Sequence, residues 1–305
     1  MKHALVLFAL AATFLLSGTA SGQSPVRKLQ LIITDHKDRS IDDVQAADIA
    51  LKEDGAPVAV ESLELSEKPV HYGLLIDVSL SLRSQFPLVL DAARRVISSN
   101  TPEDQTFIIR FIDKSEMVQA STSNKAALFS AIDRLRPDRG QTALFDSLYF
   151  AAKGLQEIHD PTRRKALVVI TDGENRASSV TEKELFNLLR EGDLKVFIIA
   201  LTKDLNREQG FIRKSVHVQS ITFLERLAKE TGGRVFFAEK DLEPGTVDQI
   251  AHDLRRQYVL KYRSQNAMSK ARHKVEIKMT DSKDKKKRKA ILRPAYSSEQ
   301  LLYVN

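Results

Sequence analysis

The sequence contains no cysteine. That absence excludes disulfides, thiolate zinc sites, iron–sulfur ligation and cysteine nucleophiles together. The fold must therefore hold by packing alone, even in an exported protein. The histidines, His3, His36, His71, His159, His217, His252 and His273, stand at no metal-ligand spacing and read as ordinary surface or packed side chains. There is no Gly-x-Ser-x-Gly nucleophile elbow and no phosphate-binding loop. Beyond the N-terminus no segment is long and apolar enough to span a bilayer, and no internal repeat stands out.

What remains is a chain of 305 residues, 42% hydrophobic and 29% charged, the composition of a soluble globular protein. The length suits one large domain or two modest ones. Net charge is +7 and the pI about 9.4. Much of the excess sits in Lys283, Lys285, Lys286, Lys287, Arg288 and Lys289, which read most simply as a solvated hairpin turn.

The N-terminus has the layout of an export signal. Met1-Lys2-His3 is a basic start, residues 4–16 are almost wholly apolar, and Ser17-Gly18-Thr19-Ala20-Ser21-Gly22 is a run of small or polar residues. Ala20 and Gly22 fit a small-x-small cleavage rule, which assigns residues 1–22 to a signal peptide and makes Gln23 the new N-terminus. Thr19 stands where a lipoprotein would carry its lipidated cysteine, so a lipid anchor is not expected. The other reading of this segment is an uncleaved anchor helix. Export points to a secreted or periplasmic protein and away from nucleic acid as a partner.

Residues 23–68 read as β structure. Val26, Leu29, Leu31 and Ile33 mix alternation with an apolar run. Glu53-Asp54-Gly55-Ala56 is a hairpin turn between 49–52 and a return strand at 58–63. About 45 residues without disulfides are marginal for folding alone. From 69 to 256 apolar runs at 70–77, 106–112, 166–170, 194–201 and 234–238 alternate with amphipathic stretches at 84–98, 125–135, 140–158, 181–190, 220–230 and 246–256. Thr181-x-x-Glu184 is a capping box, and 203–218 reads as a long polar loop in which Phe211 and Ile212 contact a partner or tuck against the domain. This alternation predicts an α/β fold, a doubly wound, mainly parallel Rossmann-like sheet with helices on both faces. Residues 257–305 return to β, with strands at 257–263, 274–279 and 288–292. They are expected to pack with 23–68 as one accessory β unit.

The chemistry concentrates in Leu74-Leu75-Ile76-Asp77-Val78-Ser79-Leu80-Ser81, an apolar strand that runs into a polar loop. Ligands of open α/β sheets bind at that strand end. Carboxylate and hydroxyl oxygens suit a hard divalent cation, Mg²⁺ above all, with Mn²⁺ or Ca²⁺ as alternatives. Thr142, two residues after Gly140, and Asp172, at the end of a second apolar strand, fall on the same edge. The competing reading is structural: Asp77 and Thr142 each cap a helix and Asp172 begins a turn. Glu174 and Asn175 read as exposed turn residues.

Asp77-Val78-Ser79-Leu80-Ser81, Thr142 and Thr171-Asp172-Gly173 resemble the metal-ion-dependent adhesion site of von Willebrand factor type A domains, over about 70–256. The flanks, Glu53-Asp54-Gly55 and Gln257-Tyr258-Val259-Leu260-Lys261-Tyr262, resemble a bacterial secreted subgroup. The resemblance implies that the Ser79, Ser81 and Thr142 hydroxyls bind the cation directly. Asp77 and Asp172 would bind directly or through water, and one position would be left for a partner's Asp or Glu carboxylate. The expected function is a non-enzymatic, adhesion-type binding module. The rivals are an envelope scaffold with a purely structural metal, and a metal-dependent hydrolase, for which no general base stands out.

Overall fold

The computed structural model describes residues 26–202, 211–264, 272–280 and 288–297. The expected signal peptide, with Thr19, Ala20, Gly22 and Gln23, lies outside the described residues. So do 203–210 of the polar loop and Lys283, Lys285, Lys286 and Lys287 of the basic stretch.

The chain opens with β1 (Val26–Thr34), β2 (Ile49–Glu53), β3 (Ala56–Val58) and β4 (Val60–Glu67). Between β2 and β3, Asp54 and Gly55 both take positive φ, 51° and 86°. This is the left-handed pair a two-residue hairpin turn requires, and Asp-Gly supplies it at little steric cost. The expected single return strand divides at Ala59, and its second part, β4, joins a different sheet.

The α/β region follows as β5 (Val70–Asp77), α1 (Phe86–Ser98), β6 (Gln105–Phe111), β7 (Ser115–Thr122), α2 (Lys125–Asp133) and α3 (Leu144–Glu157). It continues as β8 (Arg164–Thr171), α4 (Glu182–Glu191), β9 (Lys195–Leu201), α5 (Phe211–Thr231), β10 (Arg234–Ala238) and α6 (Thr246–Arg255). The strand order is β10-β9-β8-β5-β6-β7, parallel throughout except for β7, which pairs antiparallel with β6. Every residue of β5 is buried, as a parallel strand covered on both faces must be. Its side chains alternate between two cores. Leu74 and Ile76 pack with α1, α2 and α6, whereas Leu75 packs with α3, α4 and α5.

Three expectations are corrected here. Strand β7 was not foreseen, because its side chains are half-buried or exposed and carry little apolar signal. Helix α5 begins at Phe211, inside the stretch read as loop. Helix α3 begins at Leu144 with Ala143 as its N-cap, so Thr142 stands outside the helix it was expected to open.

The last strands are β11 (Arg256–Arg263), β12 (Arg272–Met279), β13 (Lys289–Ile291) and β14 (Ala295–Ser297). They interleave with the first four in two antiparallel sheets, ordered β13-β1-β11-β4 and β14-β12-β2-β3. Leu29, Leu31, Leu51, Tyr258, Leu260, Tyr262 and Val275 form a third core shared by the two sheets. Ile32 on the other face of β1 joins the core of α1, α2 and α6, so the accessory sheets and the central sheet are packed together.

A buried ion pair pins this junction. Asp104 accepts from the N–H groups of Val70 and Thr101 at 2.9 and 2.7 Å. It also accepts from Arg255 Nε and Nη2 at 2.9 and 2.6 Å. Burial works to raise the Asp104 pKa, but Arg255 and the two N–H groups outweigh it and hold the group below its ordinary value. Asp104 therefore contributes stability above the usual carboxylate range that is lost as pH falls through its lowered pKa. Asp104→Ala leaves a buried guanidinium unpaired, and urea unfolding should show a loss of about 3–5 kcal/mol. A loss under about 1 kcal/mol would mean that the pair does not hold the junction.

Candidate metal centre

Asp77 is the last residue of β5 and is fully buried. Its Oδ1 accepts from the Ser79 N–H at 2.9 Å and its Oδ2 from the Thr171 hydroxyl at 2.8 Å. The first bond folds the chain into a tight turn after the strand. That turn brings the hydroxyls of Ser79 and Ser81 within 2.8 Å of each other. Ser79 is buried and Ser81 exposed, so the pair runs from the interior to the surface. The turn is held from outside as well, because the Asp138 N–H donates to the Val78 carbonyl at 2.7 Å.

Asp172 follows β8, the neighbour of β5 in the sheet, and is 4% exposed. Its Oδ1 accepts from the Glu174 N–H at 3.0 Å. Gly173 has φ 81°, and a Cβ there would come within 2.8 Å of Leu224. Only glycine lets the chain turn at this point against α5. Thr142 is buried and reaches the same region through its main chain. Its carbonyl accepts from the N–H groups of Arg176 and Ala177 at 2.7 and 3.1 Å. The loop after Asp172 is also fastened to the start of α3, where Asp146 accepts from Ser179 and Val180 at 3.0 and 2.7 Å. Hydrogen bonds thus join Asp77, Ser79 and Ser81, the charges of Asp77 and Asp172 sense each other, and Thr142 is tied to the loop that carries Asp172.

The capping explanation does not fit Asp77 or Thr142. The short helical turn at Leu80–Gln85 has Ser79 as its N-cap, with no side-chain capping bond, and α3 has none either. For Asp172 the turn role is real, but it uses only one oxygen. Glu174 and Asn175 are half-buried, contrary to expectation. Glu174 pairs with Arg176 at 2.7 Å, and Asn175 Oδ1 accepts from the Ser178 hydroxyl at 2.5 Å. Thr171 was read as part of the motif but given no role, yet its hydroxyl holds Asp77 and also accepts from the Gly173 N–H at 3.0 Å. A hydroxyl closing an otherwise apolar strand was the available signal.

Burial, and then the charge of Asp172, push the Asp77 pKa up to about 7. Burial likewise raises that of Asp172, against a hydrogen bond from Glu174 and the pull of Ser81 and Arg176. Two carboxylates buried at one point oppose each other's ionisation, and either a proton or a cation can relieve that. Among the described residues no three His, Cys, Asp or Glu side chains group as they would around a metal. The donor set here is two carboxylates with hydroxyls, all oxygen, which fits Mg²⁺ or another hard divalent ion.

The parallel sheet with an antiparallel edge strand, two helical layers and this loop cluster define a von Willebrand factor type A-like α/β fold. Residues 73–174 match the family model described as von Willebrand factor type A domain, a class made generally of non-enzymatic interaction or adhesion modules. A comparison with curated proteins gives no match. Among solved structures, the conserved hypothetical protein BatB from Bacteroides thetaiotaomicron is 14% identical, with 60% of this chain and 96% of that one covered and a TM-score of 0.47. A von Willebrand factor type A protein from Catenulispora acidiphila is 13% identical over 91% and 74% of the two chains, TM-score 0.47. Proximal thread matrix protein 1 from the mussel byssus, described with a zinc-occupied MIDAS motif, is 19% identical over 66% and 50%, TM-score 0.48.

The raised Asp77 pKa fixes the sign of a pH effect. An acid whose folded pKa lies above its unfolded value binds more protons when folded, so stability is full below the unfolded pKa and falls as pH rises through the folded one. In chelator-treated protein, stability should fall between about pH 4 and pH 7, and Asp77→Asn should flatten that fall. Thermal melts across this range check it; a flat wild-type profile would contradict the picture.

Proposed function

We propose that the chain is an exported, non-enzymatic binding module that grips a carboxylate of a protein partner through a divalent cation, Mg²⁺ first. Asp77, Ser79, Ser81, Thr142 and Asp172 would hold the ion. The observation that carries this reading is the pair of buried carboxylates, Asp77 and Asp172, set beside two mutually bonded serine hydroxyls. When bound, the ion supplies a strong positive charge at the surface end of the loop. The hydroxyl donors are neutral, so with an aspartate acting through water part of that charge remains for an incoming Asp or Glu. Thr171 and the Asp138 main chain hold the loop in place, the supporting role that outer partners play at metal sites. Leu80, 41% exposed between the two serines, offers an apolar contact beside the ion.

In this reading residues 1–22 are removed on export, 69–256 carry the site, and 23–68 and 257–305 form the accessory β unit. Among the described residues no helix is long and apolar enough to cross a membrane.

Mg²⁺ binds the native state and should raise the melting temperature in proportion to ln(1 + [Mg²⁺]/Kd). Asp172→Ala should remove that rise; equal melting points with Mg²⁺ and with EDTA in the wild type would rule out the metal. In a pull-down from envelope extract, a partner engaged through the ion is released by EDTA. Equal retention in EDTA would instead favour a scaffold whose metal is structural.

A further inference from the structure

The other end of the central sheet carries a feature that the metal loops do not explain. A cavity of about 500 Å³ opens where β8 and β9 begin, between the loops after α3 and α4 and the inner strands β1 and β11 of the accessory sheet. Its lining includes Lys68, Arg163, Arg164, Lys165 and Lys195 against Asp160, Glu191 and Asp193. The volume lies within the range of small-molecule sites.

Most of these cations have evident partners. Arg163 pairs with Asp160 at 2.5 Å. The Lys165 ammonium donates to the Ile158 carbonyl at the end of α3. Arg293, from behind, donates to the carbonyls of Leu189, Gly192 and Leu194 at the end of α4. Such helix ends leave carbonyls that basic side chains satisfy.

Lys195 and Arg164 are different. Lys195 is 6% exposed, and among the described residues its ammonium reaches two carbonyls, of Gln30 at 3.3 Å and Gly232 at 3.4 Å. Arg164 is 8% exposed and donates from Nε and Nη2 to the carbonyls of Arg255 and Ser66 at 3.3 and 2.8 Å. Its Nη1 has no hydrogen-bond partner among the described residues. The nearby Asp193 is exposed and accepts from Gln30 Nε2 at 2.8 Å; its charge acts on both cations, but among the described residues it forms an ion pair with neither. Burial depresses both cations, Lys195 to about 8 and Arg164 to about 10. Nature rarely buries charges without an opposite charge.

We infer that this cavity is a binding site for a small oxyanion, a phosphate- or carboxylate-bearing molecule, held by Lys195 and the free edge of Arg164. A guanidinium fork and an ammonium on one wall match a multivalent oxyanion. The site is distinct from the metal loops. Arg164 and Asp172 bracket strand β8, whose eight residues place the two ends roughly 25 Å apart.

The test is calorimetric titration of the full-length chain with inorganic phosphate and with citrate, against sodium chloride of matched ionic strength. Saturable binding of either anion in wild type is expected, weakened at least about tenfold, or 1.4 kcal/mol, by Lys195→Met and by Arg164→Met. Binding of phosphate alone assigns a phosphate-bearing ligand, and binding of citrate alone a carboxylate-bearing one. No saturable binding in wild type overturns the proposal, as does undiminished binding in the variants. Should either variant fail to unfold cooperatively, Lys165→Glu on the cavity wall replaces it, with the same weakening expected and the same overturning result.

Discussion

Two carboxylates buried side by side are the constraint around which the C-terminal edge of the sheet is built. Asp77 and Asp172 sit at the ends of adjacent strands, where burial raises both pKa values and the Asp172 charge adds to the cost of ionising Asp77. Neutral donors surround them, hydroxyls and main-chain N–H groups, with the Arg176 charge at a distance. No guanidinium or ammonium among the described residues pairs with either. In the proposed reading a divalent ion resolves this, and the surrounding hydroxyls are the oxygen donors it would use.

The architecture explains how such a point is assembled from distant residues. A parallel sheet sends all its C-terminal strand ends to one edge, so the loops after β5 and β8 meet there although 94 positions separate Asp77 from its hydrogen-bond partner Thr171. The third loop, before α3, is drawn in by the Thr142 carbonyl and by Asp146. At the opposite edge, strand starts carry cations instead. The Asp104–Arg255 pair fastens one junction with the accessory sheets, while Lys195 and Arg164 line a cavity without an ion-pair partner of their own among the described residues.

Much of this was legible from the chain. Strands β5, β6, β8 and β9 announce themselves as apolar runs because both of their faces are covered. The Asp54-Gly55 turn and the Thr181–Glu184 capping box are local devices whose chemistry does not depend on the rest of the fold. What was hidden has physical reasons. Strand β7 faces solvent, so tertiary pairing rather than its side chains makes it a strand. The start of α5 lies in polar sequence where periodicity is weak. Thr142 sits beside a helix without belonging to it, a boundary error of the ordinary size. Thr171 looked like the end of an apolar run, and only the fold shows its hydroxyl turned toward Asp77. Arg164, just before the run 166–170, and Lys195, inside the run 194–201, carried no signal of their own in the sequence. The accessory sheets, packed over those strand starts, are what bury them.

The most direct test of the central claim is to locate the ion. Crystals grown with Mn²⁺ and measured at its absorption edge should show one anomalous peak bound to the Ser79 and Ser81 hydroxyls, at about 2.2 Å in the manner of hard cations. The peak should vanish in Asp172→Ala. A peak elsewhere, or none at saturating Mn²⁺, would contradict the account.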